Sequence, residues 1–304
     1  MAETDTTGFS RVGLERLHHG LEAHVEAGSL PGLVALVSRG DEVHVEVLGT
    51  TAFGGPEPMQ RDSIFRIASL TKLVTAVAAM MLVEDCRIRL DDPVDPWLPE
   101  LSNRRVLRSL ASELDDTVPA RRPITVRDLL TYTMGFGSVM ALPGTYPIQR
   151  YIREYRIGGD APYLPSHSPD TDEWLRRLGS LPLLAQPGEK FFYQVSGDVL
   201  GALIARVSGQ SLGNFMRERI FEPLGMKDTG FSVSAEQAAR MPAQYFLDRG
   251  TNRLEFFDDP ERSDWLQPPA LESGGGGLVS TIDDYHSFSR MLLQGGRFGG
   301  EQLL

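Results

Sequence analysis

Residues 69–85, SLTKLVTAVAAMMLVED, constrain this chain more than any other stretch. Between Lys72 and Glu84 there is no charge, and the letters are mostly good helix formers. The apolar residues fall on nearly every face of a helix, not on one stripe, so the helix must be covered all round by protein. No apolar run here is long enough to span a bilayer. The segment therefore reads as the centre of a core, which makes the lysine at its head conspicuous. The chain carries 27 arginines but only three lysines, Lys72, Lys190 and Lys227.

Around that helix the pattern is mixed. Residues 10–27 place Val12, Leu14, Leu17, Leu21 and Val25 at helical spacing and end at Gly28. Two strand-like runs, GLVALVS and VHVEVLG, flank Arg39-Gly40-Asp41 and predict an antiparallel hairpin. Thr125 heads a short helix in ITVRDLLTYT, and 196–209 and 211–225 read as two helices, each stopped by a glycine. SGGGGLVS at 273–280 predicts a glycine-rich turn before a helix at about 281–294. Residues 135–172, rich in Gly, Pro and Tyr, predict an irregular, lid-like segment. Short strands near the N-terminus with helices in the middle give an α+β class, not a doubly wound sheet.

Charge and cysteine content narrow the function. A net charge of −11 argues against nucleic acid and anionic membrane as partners. The single cysteine, Cys86, excludes a disulfide framework and reads as a small core residue. MAETDTTGFSRVGLERL lacks the basic-then-apolar pattern of a signal peptide, so a cytoplasmic location is the expectation.

The chemistry starts from Ser69-Leu70-Thr71-Lys72. Residues three apart at a helix start share a face, so Ser69 Oγ and Lys72 Nζ can meet. An ammonium among Leu73, Val74, Val77 and Met80 would be poorly solvated, lose its proton more easily and activate the serine. The N–H groups of the helix start would stabilise an oxyanion. A second reading stays open: Ser69 caps the helix and Lys72 snorkels to solvent.

The run SIFRIASLTKLVTAVAAMMLVED…LDDPVDPWLPEL resembles the serine β-lactamase-like family, which holds class C β-lactamases, D-alanyl-D-alanine carboxypeptidases and family VIII-type carboxylesterases. ITVRDLLTYTMGFG, PGEKFFYQVSGDVLGALIARVSGQSL, IFEPLGMKDTGF and GGGGLVSTIDDY look like further landmarks in the family's order. The resemblance implies a β-lactamase/transpeptidase-like fold, an α/β sheet domain with an inserted helical domain. Residues 1–65 would begin the sheet domain, 66–280 would form the mainly helical part, and the helix after 281 would return toward the sheet. It implies Ser69 as the acylated nucleophile, Lys72 as its proton acceptor and Tyr193 as the tyrosine of the second motif, with the primary base left open between Lys72 and Tyr193. Tyr132, Phe136 and Gln194 are candidate substrate contacts. No metal or organic cofactor is implied, and the partner would be a small ester or β-lactam-like substrate.

Two departures shape the expected activity. The second motif reads Tyr193-Gln194-Val195 where the lactamase and peptidase branches have Tyr-x-Asn. Valine offers no amide, so the pattern is more similar to the esterase branch and implies carboxylic esters, with weak β-lactam hydrolysis as a side activity. The family's third motif, Lys/His/Trp-x-Gly, does not follow Tyr193 before Leu304, so the C-terminal strands are expected to be lacking. A β-lactamase or D-alanyl-D-alanine carboxypeptidase is one alternative. A non-catalytic relative that binds a peptidoglycan fragment or a protein partner is another.

A rival nucleophile is Ser211 in Gly209-Gln210-Ser211-Leu212-Gly213, a G-x-S-x-G pattern followed by Asp264 and His286. The pattern needs a strand before it, and VLGALIARVSG reads as helix. His18, His19 and His24 lack ligand spacing with a carboxylate and read as a solvent-facing helix side.

Overall fold

The computed structural model describes residues 8–158, 163–248 and 250–304. Helix α1 (Arg11–Glu26) starts at Ser10, whose hydroxyl accepts from the Gly13 N–H. Strands β1 (Gly32–Arg39) and β2 (Glu42–Gly49) pair antiparallel, with Gly32 opposite Gly49 and Arg39 opposite Glu42. Gly40 turns the hairpin at φ 60, a conformation that glycine adopts without a Cβ clash. Then come β3 (Phe65–Arg66), a 3₁₀ turn at Ala68–Leu70 and the apolar helix α2 (Thr71–Glu84).

Beyond α2, a short hairpin, β4 (Arg105–Leu107) with β5 (Thr117–Pro119), leads to α3 (Val126–Leu130). Thr125 and Asp128 cap α3 reciprocally. Helices α4 (Pro147–Glu154), α5 (Thr171–Ser180) and α6 (Val195–Ser208) follow, and α6 stops at Gly209 with φ 76. The helix foreseen over 211–225 is three pieces: α7 (Leu212–Met216), a π turn at Arg217–Phe221 and α8 (Glu222–Leu224). The i→i+5 turn interrupts the ladder just ahead of Pro223, which has no N–H to continue it. After α9 (Ala235–Ala238) comes a hairpin, β6 (Gln244–Asp248) with β7 (Arg253–Asp258). The chain ends with β8 (Val279–Ser280), α10 (Ile282–Leu293), β9 (Arg297–Phe298) and β10 (Glu301–Gln302).

The core forms where α2 and α6 pack on each other, with Val74, Ala78, Leu82, Leu203 and Ile204 fully buried. Each of the larger of these side chains, Val, Leu or Ile, stabilises the fold by about 1.5–3 kcal/mol relative to exposure. Two-residue strands β3 and β8 pair antiparallel and join the start of α2 to the glycine-rich turn more than 200 residues later. That stitch positions the site.

Several expectations change. Helix α2 is not covered all round, because Leu70 and Leu73 are half exposed. Cys86 is exposed past the end of α2, at φ 57, and is not a core residue. Segment 135–172 is not irregular throughout: Pro147 opens α4, where its fixed φ suits a first helical turn. Residues 159–162 of that segment, and residues 1–7 of the N-terminal pattern, lie outside the described residues. The β6–β7 hairpin went unforeseen because Leu247, Leu254 and Phe256 point outward and blur the inside–outside alternation. No described helix is long and apolar enough to cross a membrane.

Candidate active site

Ser69 sits in the middle of the 3₁₀ turn that feeds α2. Ala68, just before it, is left-handed at φ 44, which costs a residue with a Cβ about 1–3 kcal/mol. Lys72 lies one turn on, and its Nζ donates to Ser69 Oγ at 3.0 Å. The same ammonium donates to Gln194 Oε1 at 2.8 Å and to the Gly275 carbonyl. The aliphatic surroundings foreseen for it are therefore replaced by three oxygens, since the flexible stem carries the head past Leu73 and Val74. Lys72 Nζ also lies 4.6 Å from the centre of the Tyr193 ring.

Tyr193 arrives from the other side. Its hydroxyl donates to Ser69 Oγ at 2.6 Å. Burial would raise this phenol, but the hydrogen bond to Ser69 and the charge of Lys72 outweigh it and hold Tyr193 below its ordinary value. The ring stacks on Tyr132 at 6.1 Å and on Phe191 at 6.5 Å.

The next residue explains how Tyr193 is aimed. Gln194 has φ 83 and ψ −71, and the Val195 N–H donates to the Tyr193 carbonyl at 3.3 Å. This is a γ-turn of the rare, strained hand. It starts α6, sends Val195 into the core and turns the Gln194 amide toward Lys72. The amide missing from position 195 is thus supplied one residue earlier.

The third piece is the turn 273–277. Asp198, fully enclosed on α6, accepts from Ser273 Oγ at 2.5 Å and from the Gly275 N–H at 3.0 Å. Burial raises its pKa above the ordinary aspartate value, against the lowering effect of those hydrogen bonds and of Lys72. Thr75 Oγ1 donates to the Gly274 carbonyl at 2.8 Å, tying the turn to α2. A Cβ at Gly274 would lie 2.5 Å from the Gly197 carbonyl oxygen, so the approach of turn and helix requires glycine there. Together these groups open on a cleft of about 440 Å³, a size suited to a small organic molecule.

Residues 19–304 match the family profile described as Beta-lactamase. The chain belongs to the Beta-lactamase family. It is 40% identical over 281 residues to Protein Rv1367c of Mycobacterium tuberculosis, a match covering 92% of this chain and 66% of that protein. The chain thus spans slightly under two thirds of that relative's length. It is 32% identical over 302 residues to Esterase EstB of Burkholderia gladioli, covering 93% of this chain and 71% of EstB. Among solved structures it is similar to EstCE1, described as a hydrolase with promiscuous acyltransferase activity, with a TM-score of 0.75 and 28% identity. That match covers 95% of this chain and 74% of EstCE1.

In this Beta-lactamase-family chain the residues singled out from sequence part company. Ser69, Lys72, Tyr193 and Gln194 converge. Tyr132 packs behind Tyr193, held at φ 59, and its phenol is raised by burial and by Asp198. Phe136 is fully buried in the core and is not a cleft residue, because the turn after Tyr132 folds it inward. Ser211 is the N-cap of α7, bonded to the Asn214 N–H and to Glu272, and a helix, not a strand, precedes it. Asp264 instead accepts from Ser166. The elbow geometry is therefore not formed. His18 and His19, with Glu22, place three ligand-type atoms within 4.8 Å on α1, while His18 Nδ1 meets Glu46 at 2.9 Å.

Sequence reading missed Asp198 and Gly275. The rule that picked out Lys72 would also have found the aspartate, a lone acid in the apolar helix SGDVLGALIA. Gly275 acts through its backbone carbonyl, which leaves no residue-type signal.

Proposed function

We propose that this chain is a serine hydrolase acting on carboxylic esters through an acyl-enzyme. The observation that carries the proposal is the double hydrogen bond to Ser69 Oγ, from Tyr193 at 2.6 Å and Lys72 at 3.0 Å. Ser69 Oγ attacks the ester carbonyl and loses its proton, and the alkoxide of the alcohol leaves with a proton returned to it. Water then cleaves the acyl-enzyme. The Ser69 N–H, at the start of the turn, is one donor to the oxyanion.

The geometry favours Tyr193 over Lys72 as the proton acceptor. Three acceptor oxygens around Lys72 Nζ match the three N–H donors of an ammonium, whereas a neutral amine would turn a lone pair on one of them. The charge held there favours a Tyr193 phenolate. Lys72 would then orient Ser69 and steady the phenolate while Tyr193 moves the proton. The ester reading is supported by the similarity to Esterase EstB and to the hydrolase EstCE1. An alcohol in place of water would make the same acyl-enzyme an acyltransferase, an activity described for the similar EstCE1.

Exposure to a fluorophosphonate, followed by intact mass and peptide mapping, tests the proposal. An adduct on Ser69 that disappears in Lys72→Ala is the expected result. A folded protein that takes no label, or takes it on Ser211, would overturn it.

A further inference from the structure

The cleft beside Ser69 carries an excess of positive charge that the ester chemistry does not use. Three arginines line it, Arg66, Arg153 and Arg156. Arg66 is already neutralised: it is buried, paired with Asp258 and bonded to the Pro242 carbonyl. Arg153 and Arg156 are different. Arg153, in the last turn of α4, has no ion-pair or hydrogen-bond partner among the described residues. Arg156 sits one turn on at φ 54, and among the described residues it donates only to the His167 carbonyl, at 3.1 Å.

Two acids on the same and the following helix, among the described residues, are engaged elsewhere. Glu154 meets Arg150, and Glu173 meets Arg176 and Arg177. Among the described residues the one carboxylate on the cleft wall, Asp198, is held by Ser273 and the Gly275 N–H. The backbone that carries these two exposed side chains is anchored. Ile148 and Ile157, on either side of them in sequence, are fully buried in the core. In a chain of net charge −11, a cleft with two guanidiniums that meet no carboxylate among the described residues stands out against its own surface. Low-dielectric walls of one sign concentrate the opposite charge from solution.

We propose that Arg153 and Arg156 form an anion subsite, and that the substrate is an ester carrying a second, ionised carboxylate. This rests on the hydrolase reading for its chemistry but not for its binding. A guanidinium offers paired N–H donors matched to the two oxygens of a carboxylate, and a second one three residues on adds a further contact.

The test compares matched esters, mono-p-nitrophenyl glutarate against p-nitrophenyl pentanoate for the acyl side, and phenyl-acetate esters with and without a para-carboxylate for the alcohol side. The wild-type protein should prefer the anionic member of at least one pair by about tenfold or more in kcat/KM, as expected of charge-assisted hydrogen bonds. In the Arg153→Gln/Arg156→Gln double variant the ratio should fall to within about twofold, while Arg153→Lys keeps part of it. A ratio near one in the wild-type protein for both pairs, or a double variant that loses both members equally, overturns the subsite. Calorimetry on Ser69→Ala separates the two readings. Charge-selective binding without wild-type turnover would remove the hydrolase and keep the subsite. Turnover without charge selection would do the reverse.

Discussion

Helix α6 and helix α1 are of similar length but opposite in setting. Eleven of the fourteen residues of α6 are buried, whereas α1 buries none of its sixteen. The hairpin under α1 is the same, with no fully buried position in β1 or β2. The side-chain hydrogen bonds that hold Lys72 Nζ and Ser69 Oγ come from the first kind of setting: the head of α2, the start of α6 and the turn 273–277. The difference teaches where precision resides. Close-packed elements transmit a small change to the site, and half-exposed ones absorb it.

The sharpest way to test that contrast is at the site itself. Ser69→Ala and Lys72→Ala should each lower ester turnover by at least about 1,000-fold, as for groups that act as a unit. Their melting temperatures should stay close to wild type. Asp198→Ala comes next. It leaves the Gly275 N–H and the Ser273 hydroxyl unpaired in the core, at about 1–3 kcal/mol each. Denaturant unfolding should register that loss, and turnover should fall with it because the Gly275 carbonyl no longer holds Lys72.

Gln194 separates strain from chemistry. Both Gln194→Ala and Gln194→Gly remove the acceptor for Lys72, and each should lower kcat about tenfold if that contact is worth one charged hydrogen bond. Glycine, however, relieves the positive φ, so Gln194→Gly should melt above Gln194→Ala. Equal melting temperatures would contradict a strained γ-turn.

Acidity gives a further measure. Tyr193 works as a base only when ionised, and its pKa is lowered from 10, so kcat/KM should rise with pH and level off with a midpoint below 10. Tyr193→Phe should remove that limb.

The smallest effects belong to α1 and its hairpin. Leu36→Ala, at a half-buried position of β1, should cost about 1 kcal/mol and leave kcat unchanged. The hydrogen bond to Glu46 raises His18 above its ordinary value, against a lowering by burial. His18 therefore adds stability below pH 6.5 that is lost as pH rises through the raised value. The melting difference between wild type and His18→Asn should shrink over that range; Glu46, Glu22, His19 and His44 are the ionisable groups around it.

Much of this was legible in the sequence because it is local. Alternating runs around Gly40 specify β1 and β2, and Thr125 with Asp128 announces α3. Ser69 and Lys72 are three residues apart and needed no tertiary information to be paired. What escaped is non-local or carried by backbone. No spacing rule joins Asp198 to Ser273, or Lys72 to a carbonyl two hundred residues away. Phe136 was misjudged for a related reason. Its place after Tyr132 says that it is near the site, but not on which side of the chain it falls. Trp265, buried on the cleft wall, escaped because neither its residue type nor its spacing ties it to Ser69.

The two-residue pairing of β3 with β8 has a consequence in time. As the chain leaves the ribosome, α2 emerges early, but the carbonyl that holds Lys72 and the strand that clasps Arg66 are made some two hundred residues later. Closing so long a loop carries an entropic penalty, which the packing of α2 on α6 reduces by bringing the start of α2 against residues 194–204 first. Until residue 280 can fold back, Lys72 lacks the Gly275 carbonyl and Arg66 lacks its strand partner, so the cluster around Ser69 cannot be completed segment by segment along the chain.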